Sequence, residues 1–363
     1  MTQSTQDHAR KVDSGAPVIR IGALQWLRAN LFSSPFNTLV TILVCLLLYK
    51  VTPPFIQWAF IDSLWLSTAE QCRDADGACW SIIPANIRFI LFGFYPYDSH
   101  WRPLAAMVML IALVLYSKER SHWNRSLGYI WMAGLLFMGF LMKGGFFGLS
   151  PVDSDQWGGL PLTLMLSVFG MVAAYPLGIF LALGRRSKMP AIKTICILYI
   201  ELIRGVPLIS LLFMSSVLFP LFLPTGVTVN KILRAQVAII LFTAAYIAEV
   251  VRGGLQAIPR GQYEAAESLG LNYVQMMRLV VLPQALKIVI PPTVGILISA
   301  FKDTSLVVII ALFDILKTTK SVLGNPIWMG FSPEAYIFVA LIYFVCCYAM
   351  SNYSRRLERE LHA

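Results

Sequence analysis

Residues 159–183 read GLPLTLMLSVFGMVAAYPLGIFLAL, and this stretch contains no Asp, Glu, Lys or Arg. A helix needs about 20 consecutive, mostly apolar residues to cross the hydrocarbon core of a bilayer. The stretch exceeds that length and is followed closely by the basic residues Arg185, Arg186 and Lys188. It therefore predicts a transmembrane helix with a basic loop at its carboxyl end.

Apolar runs of the same kind recur on both sides of this stretch. Hydrophobic residues make up 57% of the 363-residue chain and charged residues 13%, whereas a soluble domain contains about 25% charged residues. This composition excludes a soluble enzyme, a disordered chain and a disulfide scaffold. We therefore predict an all-α integral membrane protein. It has about eight transmembrane helices, within residues 36–56, 103–117, 127–142, 159–183, 194–222, 235–251, 286–312 and 335–350.

The positions of the basic residues predict how these helices are oriented. With the amino terminus in the cytoplasm, the cytoplasmic segments hold 18 of the 29 lysines and arginines, beginning with Arg10, Lys11, Arg20 and Arg28. This bias is the one that the positive-inside rule describes, and it explains the net charge of +10 without nucleic acid as a partner. Both termini are therefore expected in the cytoplasm. The apolar stretch 82–94 is short, and we predict an interfacial helix on the outer side there.

Composition also divides the chain into segments. Three predicted spans precede a Gly-, Pro- and Asp-containing stretch at 144–161, and five spans follow it. The predicted segments are a cytoplasmic tail at 1–33, a three-span extension at 34–150 with an external loop at 57–102, a five-span domain at 151–355 with a cytoplasmic loop at 252–285, and a cytoplasmic tail at 356–363.

The cytoplasmic loop of the five-span domain carries the most specific pattern. Residues 252–286 read RGGLQAIPRGQYEAAESLGLNYVQMMRLVVLPQAL. Local rules predict one helix over 262–269 that ends at Gly270, and a second that is capped by Asn272 and stopped by Pro283. On these rules alone the loop is an ordinary surface hairpin in which Glu264 complements a helix dipole.

Six residues of this loop match the EAA signature, EAA-x3-G-x9-I-x-LP, with Val280 in place of Ile. They are Glu264, Ala265, Ala266, Gly270, Leu282 and Pro283. The pattern resembles the loop by which the permease subunits of type I ABC importers couple to their ATPase. The resemblance implies that these residues contact a separate ATPase subunit. Because the chain has no GxxxxGK[ST] phosphate loop, that partner would use ATP and Mg, and this chain would bind no cofactor.

Further stretches resemble the permeases for polar amino acids. They are GLPLTLMLS at 159–167, GIFLALGRRS at 178–187, YIELIRGVPLI at 199–209, AAYIAEVVRGGLQAIPRGQYEAA at 244–266 and FKDTSL at 301–306. The three-span extension resembles that of permeases for general L-amino acid uptake in Gram-negative bacteria. The resemblance implies a non-enzymatic permease subunit in the bacterial inner membrane. It would import L-amino acids with ABC ATPase subunits, a second permease subunit and a periplasmic amino-acid-binding protein.

Ionisable residues within predicted spans are costly in lipid, so they are candidates for the transport pathway. With two neighbouring hydroxyl residues, the candidates are Glu201, Arg204, Glu249, Lys302, Asp303, Thr304 and Ser305. Glu201 and Arg204 lie three residues apart, as do Glu249 and Arg252, so each couple can equally form a structural ion pair on one helix.

A second interpretation of these charges is an ion-coupled secondary transporter, in which Glu249, Lys302 and Asp303 bind the coupling ion or the substrate. Purification separates the two hypotheses, since only an ABC importer brings down an ATPase.

The stretch CRDADGAC at 72–79 predicts a disulfide between Cys72 and Cys79. The predicted external position permits oxidation, and Asp76-Gly77 can turn the chain back. Two reduced thiols are the alternative, because proximity in sequence does not guarantee bonding geometry. The sequence contains no His and Cys spacing typical of a metal site.

Overall fold

The computed structural model describes residues 22–146, 148–224 and 226–362. Arg10, Lys11 and Arg20, and with them most of the predicted amino-terminal tail, lie outside the described residues. Within the described ranges the chain consists of helices and their connections, apart from one two-residue strand, β1, at Phe313–Asp314. The predicted all-α fold is confirmed.

Sixteen α-helices occur in the described part of the chain. They are α1 (Ala23–Asn30), α2 (Pro35–Ile56), α3 (Ala69–Arg73), α4 (Ile82–Phe92), α5 (Trp101–Ser117), α6 (Arg125–Lys143), α7 (Gly159–Arg185), α8 (Pro190–Gly205), α9 (Leu208–Phe213), α10 (Phe219–Leu221), α11 (Lys231–Ala257), α12 (Arg260–Ser268), α13 (Tyr273–Met276), α14 (Leu282–Asp303), α15 (Ile315–Leu323) and α16 (Ser332–His362). Shorter helical segments are π-helical at Gln57–Ile61, Met214–Leu218 and Met277–Val281, and 3₁₀ at Tyr97–Ser99, Arg120–His122, Ser154–Gln156 and Thr304–Ile310.

Seven helical segments among the described residues are long and apolar enough to cross a membrane. A further apolar pair, α8 and the segment Leu208–Leu221, meets at an angle of 103° and makes an eighth crossing if the two are counted as one span. Pro207 causes the bend, because a proline disfavours the helical conformation in the residue before it. Val206 is accordingly extended, with φ −107° and ψ 132°. The predicted number of about eight spans is confirmed, and the run 194–222 is bent rather than straight.

The described residues form two compact units, 22–64 with 70–78 and 65–69 with 79–362. In the first unit, the hydroxyl of Ser34 caps α2 by accepting a hydrogen bond from the backbone N–H of Asn37. The helix then continues through Pro53 and Pro54 and contains no buried residue. A helix that is apolar on all sides is typical of a membrane span.

The core of the second unit is built on α7 and α11. Their backbones approach so closely that a Cβ atom added to Gly178 would lie 2.6 Å from Cγ2 of Ile247. Buried alanines, among them Ala244 and Ala248, surround this contact. Small residues allow membrane helices to approach closely and to gain dispersion energy along their length. α14 packs on the other side of α11, where Gly254 faces Val289.

The short apolar stretch within the predicted external loop forms α4. With 11 residues the helix is too short to cross a bilayer. Ile82 and Ile90 are fully buried, and α4 packs against α7 and α15. The side of the membrane on which it lies stays a prediction.

Candidate functional site

A cavity of about 420 Å³ lies between α9, α11 and α14 in the second unit. Its lining is mostly apolar, with polar groups from Thr243, Tyr246, Ser299 and Asp303. Asp303 is the one charged residue among the described residues that line it. Apolar walls with a few polar groups are typical of small-molecule sites.

The four candidate residues after Phe301, at the end of α14, have different environments. Asp303 lines the cavity, whereas the side chain of Lys302 is exposed on the surface of the chain, because consecutive helical residues point in different directions. The helix changes to 3₁₀ geometry at Thr304, whose buried hydroxyl donates to the Phe301 carbonyl at 2.7 Å. Ser305 is half-buried. The helix therefore tightens directly after Asp303.

A cluster of five charged residues joins the ends of α7, α8 and α11. Glu249 lies at its centre, and its carboxylate accepts from Nε of Arg252 at 2.9 Å and from Nη1 of Arg185 at 3.4 Å. Arg204 approaches the same carboxylate at 3.7 Å, and Arg185 also donates to Glu201 at 2.9 Å. The sequence-based pairing of Glu249 with Arg252 is confirmed.

The ion pair that helical spacing allows between Glu201 and Arg204 does not form. Glu201 pairs with Arg185 on α7, and Arg204 turns to Glu249 on α11. A pair of residues three apart on one helix gains only about 0.2–0.5 kcal/mol, so contacts between helices easily replace it. By sequence, Arg185 belongs to the basic loop after the span, and the spacing of residues does not indicate that it reaches two other helices.

The cluster holds three arginines but only two glutamates, and Arg204 is the cation with the longest ion-pair distance. Its guanidinium lies over the ring of Tyr246, 5.5 Å from the ring centroid. Tyr246 in turn lines the cavity. Arg204 therefore connects the charged cluster to the cavity, in a geometry that favours a cation–π interaction.

The loop with the EAA signature folds as two helical segments with a tight turn between them. α12 ends before Gly270, whose φ of +73° is left-handed, and Asn272 caps α13 in a reciprocal arrangement with Gln275. Both features are as predicted. The prediction that Pro283 stops the second helix is wrong, because the helical path continues from Tyr273 through Pro283 into α14, with the π-helical segment Met277–Val281 just before the proline.

The signature residues divide into exposed and buried positions. Glu264, Ala265 and Gly270 are exposed, whereas Ala266 is buried in the core of the second unit. Leu282 is half-buried in that same region. Only part of the signature is therefore accessible at the surface of this chain.

Large apolar side chains accompany the exposed signature residues. Leu269 is 79% exposed and Val274 is 69% exposed. Exposed apolar side chains grouped on a loop of fixed geometry are typical of a surface that contacts another protein.

Tyr263 anchors this loop to the membrane helices. Its hydroxyl donates to the Leu255 carbonyl of α11 at 3.1 Å, and Nη1 of Arg186 lies 3.1 Å from both oxygens. The Arg186 guanidinium also stacks on the Tyr263 ring, 5.6 Å from its centroid. On the other side, Gln284 of α14 donates to the side-chain oxygen of Gln262 at 2.9 Å. These contacts fix α12 to the ends of α7, α11 and α14.

The six cysteines fall into two groups, four in apolar helices and two in the segment 72–79. Cys45, Cys196, Cys346 and Cys347 are free thiols in apolar helices. Cys72 and Cys79 are both buried, and the disulfide between them stays a prediction.

The chain matches a known family and has full-length relatives. The family described as "binding-protein-dependent transport system inner membrane component" matches residues 174–362. The inner membrane amino-acid ABC transporter permease protein YhdY of Escherichia coli is 48% identical over 94% of this chain and 93% of its own length. The glutamate/glutamine/aspartate/asparagine transport system permease protein BztC of Rhodobacter capsulatus is 40% identical over 95% of each chain.

A solved structure resembles part of the chain. A chain of an amino acid ABC transporter crystallised with histidines is 32% identical, with a TM-score of 0.50, and the match covers 56% of this chain and 92% of that one. The family match covers more than half of the sequence, and the two relatives cover nearly all of it. The chain therefore belongs to the family of binding-protein-dependent transport system inner membrane components, as a multi-pass permease subunit of the inner membrane.

Proposed function

We propose that this chain is the permease subunit of an ATP-driven importer of L-amino acids. The names of its full-length relatives support amino acids as the substrate class. ABC ATPase subunits would hydrolyse ATP with Mg, a second permease subunit would complete the pathway, and a periplasmic amino-acid-binding protein would deliver the substrate. The chain itself would bind no cofactor and catalyse no reaction.

The observation that carries this proposal is the construction of the loop at 252–285. Its surface presents Glu264, Ala265 and Leu269 to a partner, while Tyr263 and Arg186 fix its base to α11. A loop that is exposed on one side and hydrogen-bonded on the other transmits a displacement without deforming. This arrangement favours coupling to an ATPase that changes conformation as it binds and hydrolyses ATP.

The cavity beside α11 and α14 is the proposed passage for the substrate. A free amino acid carries one ammonium and one carboxylate, and groups of opposite charge recognise it within a membrane protein. Asp303 lines the cavity and suits the ammonium. Arg204, stacked on the cavity residue Tyr246, suits the carboxylate better than Lys302, which is exposed elsewhere on the chain.

The exposed position of Lys302 supports a second permease subunit. A lysine in a membrane-crossing segment is costly against lipid, so the surface of α14 at Lys302 fits a protein neighbour better than hydrocarbon. The proposed organisation keeps the segments 1–33, 34–150, 151–355 and 356–363, with both termini in the cytoplasm. A reporter that is active only in the periplasm is expected to be active when fused after Asp98.

The test is uptake by the reconstituted complex. The chain is purified with its co-purifying subunits, placed in liposomes, and supplied with ATP and a binding protein. We expect labelled amino acids to accumulate with ATP and to stay outside when ATP is withheld, and an uncoupler of ion gradients should have no effect. Accumulation that needs an ion gradient and no ATP would contradict the proposal and favour the ion-coupled alternative, for which family membership gives no support.

A further inference from the structure

The short helix α4 is packed into the five-span region rather than lying apart from it. The hydroxyl of Thr318 on α15 lies 2.9 Å from the carbonyl oxygen of Ile90, to which it can donate. Thr318 and Ile90 are both fully buried. A buried carbonyl near the end of a short helix needs such a donor, because an unpaired polar group is costly away from water.

Glycines bring the backbone of this region into direct contact with α7. A Cβ atom on Gly159, the first residue of α7, would overlap the carbonyl oxygen of Leu91. One on Gly93 would lie 3.0 Å from Cα of Gly158 and 3.2 Å from Cγ2 of Thr318. Both Gly93 and Gly159 also have positive φ values, so the sequence here allows α4 to rest on α7 and α15 together.

The residues that precede α4 are joined to the last span. The backbone N–H of Cys79 donates to Oε1 of Glu334 at 3.0 Å, and Glu334 is only 4% exposed in the first turn of α16. This hydrogen bond connects positions 255 residues apart in the sequence. The stretch 79–93 is therefore held by α7, α15 and α16 at once.

The helix α15, which α4 contacts, follows the cavity residue Asp303 closely in the chain. Asp303 lines the cavity, the 3₁₀ segment Thr304–Ile310 follows it, and Ala311 then turns the chain with a φ of 58° into β1 and α15. On its other side α15 is tied to α7, where the hydroxyl of Thr163 accepts from the backbone N–H of Ile315 at 3.2 Å. A displacement of α15 therefore moves the segment directly attached to Asp303.

The solved relative is too short to contain this element. Its alignment takes up 92% of that chain but only 56% of this one, so too little of it remains to supply a counterpart of the three-span extension. YhdY and BztC align over almost the whole length. The longer relatives therefore have sequence that aligns with the three-span extension, whereas the solved relative does not.

We infer that α4 is a clamp by which the three-span extension holds α15, and through it the end of the transport pathway that carries Asp303. The clamp consists of Thr318 against Ile90, Gly93 and Gly159 against the neighbouring backbones, and Glu334 against Cys79. As a device for transport it rests on the proposed function, whereas the contact itself can be measured without transport.

The first test compares Thr318→Val with Thr319→Val. Both hydroxyls are fully buried on α15 and lie near the Ile315 carbonyl oxygen, but only that of Thr318 also reaches α4. In the purified complex, Thr318→Val is expected to speed hydrogen exchange of the α4 amides about fivefold, the effect of one buried hydrogen bond. Thr319→Val should leave α4 unchanged. Equal exchange in both variants would overturn the clamp.

Transport by the same complexes tests the functional part. We expect Thr318→Val to lower substrate uptake per ATP hydrolysed about fivefold, with Thr319→Val at the wild-type value. Faster exchange in α4 with uptake per ATP unchanged would overturn the link to the pathway. If the wild-type complex shows no ATP-driven uptake, the proposed function fails, and the exchange measurement still decides whether α4 holds α15.

A second pair of variants keeps the test decisive if Thr318→Val does not accumulate. Gly93→Ala places a methyl group against Gly158 and Thr318, whereas Gly145→Ala carries the same positive-φ strain with its nearest neighbour, Cβ of Pro151, at 3.8 Å. We expect Gly93→Ala alone to speed exchange in α4 and α15. Matching exchange profiles for the two alanine variants would contradict the clamp.

Discussion

The first and sixth membrane-crossing segments, α2 and α11, are both long apolar helices, yet they differ in what they contact. No residue of α2 is buried, whereas half of the most apolar stretch of α11 is. α2 contains no Gly or Ala, while α11 carries alanines at 235, 238, 244, 245 and 248 and glycines at 253 and 254. Hydrophobicity therefore suits a helix to the membrane, whereas small side chains allow another helix to approach it closely.

The largest effect is expected where α7 meets α11. Gly178→Leu forces a side chain into a space where even Cβ lies 2.6 Å from Ile247, and overpacking of this kind destabilises a core. We expect the amount of protein in the membrane to fall about tenfold. Gly139→Leu is the matched control on α6, because nothing lies within 4 Å of its added Cβ. If immunoblots show equal amounts of the two variants in the membrane, the distinction between packed and unpacked helix faces is contradicted.

The charged cluster on α11 should give the next largest effect. Glu249→Leu leaves Arg185, Arg204 and Arg252 without their shared carboxylate. Removing one partner from a partly buried ion pair costs about 3 kcal/mol, so the thermal unfolding midpoint in detergent should fall clearly. Leu47→Ala in α2, at a position that is 61% exposed, should leave the midpoint nearly unchanged. If Leu47→Ala lowers the unfolding midpoint more than Glu249→Leu does, the assignment of α11 as the more tightly packed helix is contradicted.

The cavity between α11 and α14 predicts different roles for two adjacent residues. Asp303→Asn removes the charge that lines the cavity, and we expect the KM for amino acid uptake to rise about tenfold, as for a lost hydrogen bond to a charged group. Lys302→Met, on the exposed side of α14, should leave KM at the wild-type value. If both variants transport the same amino acids with unchanged KM, Asp303 does not contact the substrate in the pathway.

The loop after α11 extends the comparison to a surface that should bind a partner. Glu264→Lys reverses the charge of an exposed signature residue and is expected to weaken ATPase association about fivefold, as a rim charge at an interface does. Glu267→Lys reverses a charge on the same helix outside the signature, and both residues are exposed. Co-purification of the ATPase measures the difference. Equal recovery with both variants would argue against the loop as the coupling element.

The smallest effect is expected from pH. Burial raises the pKa of the Asp314 carboxyl to about 6, although backbone N–H groups of Lys317 and Leu316 stabilise its charged form. Since the folded state binds the proton more tightly than the unfolded chain, folding stability falls as pH rises from about 4 to 6. Relative to Asp314→Asn, the wild type should lose about 1 kcal/mol between pH 5 and 7. A stability difference between the two proteins that does not change with pH would show that burial does not raise the pKa of Asp314.

Much of this molecule is determined by local sequence. The span positions follow from apolar length, because hydrocarbon requires every crossing segment to satisfy its own backbone hydrogen bonds. The bend at Val206 follows from Pro207, the turn after α12 from Gly270, and the cap of α13 from Asn272. Each of these features depends on residues within a few positions of one another.

The tertiary structure alone decided which charges of different helices meet. Helical spacing favoured a pair between Glu201 and Arg204, but Arg185 and Glu249 on neighbouring helices replaced it. The signature in the loop did not show that Ala266 faces the core, and Pro283 lies in the first turn of α14 instead of ending a helix. The sequence also gave no sign that Ile90 would meet Thr318, 228 residues away. Such contacts depend on how helices distant in sequence are packed, and neither apolar length nor residue spacing specifies that packing.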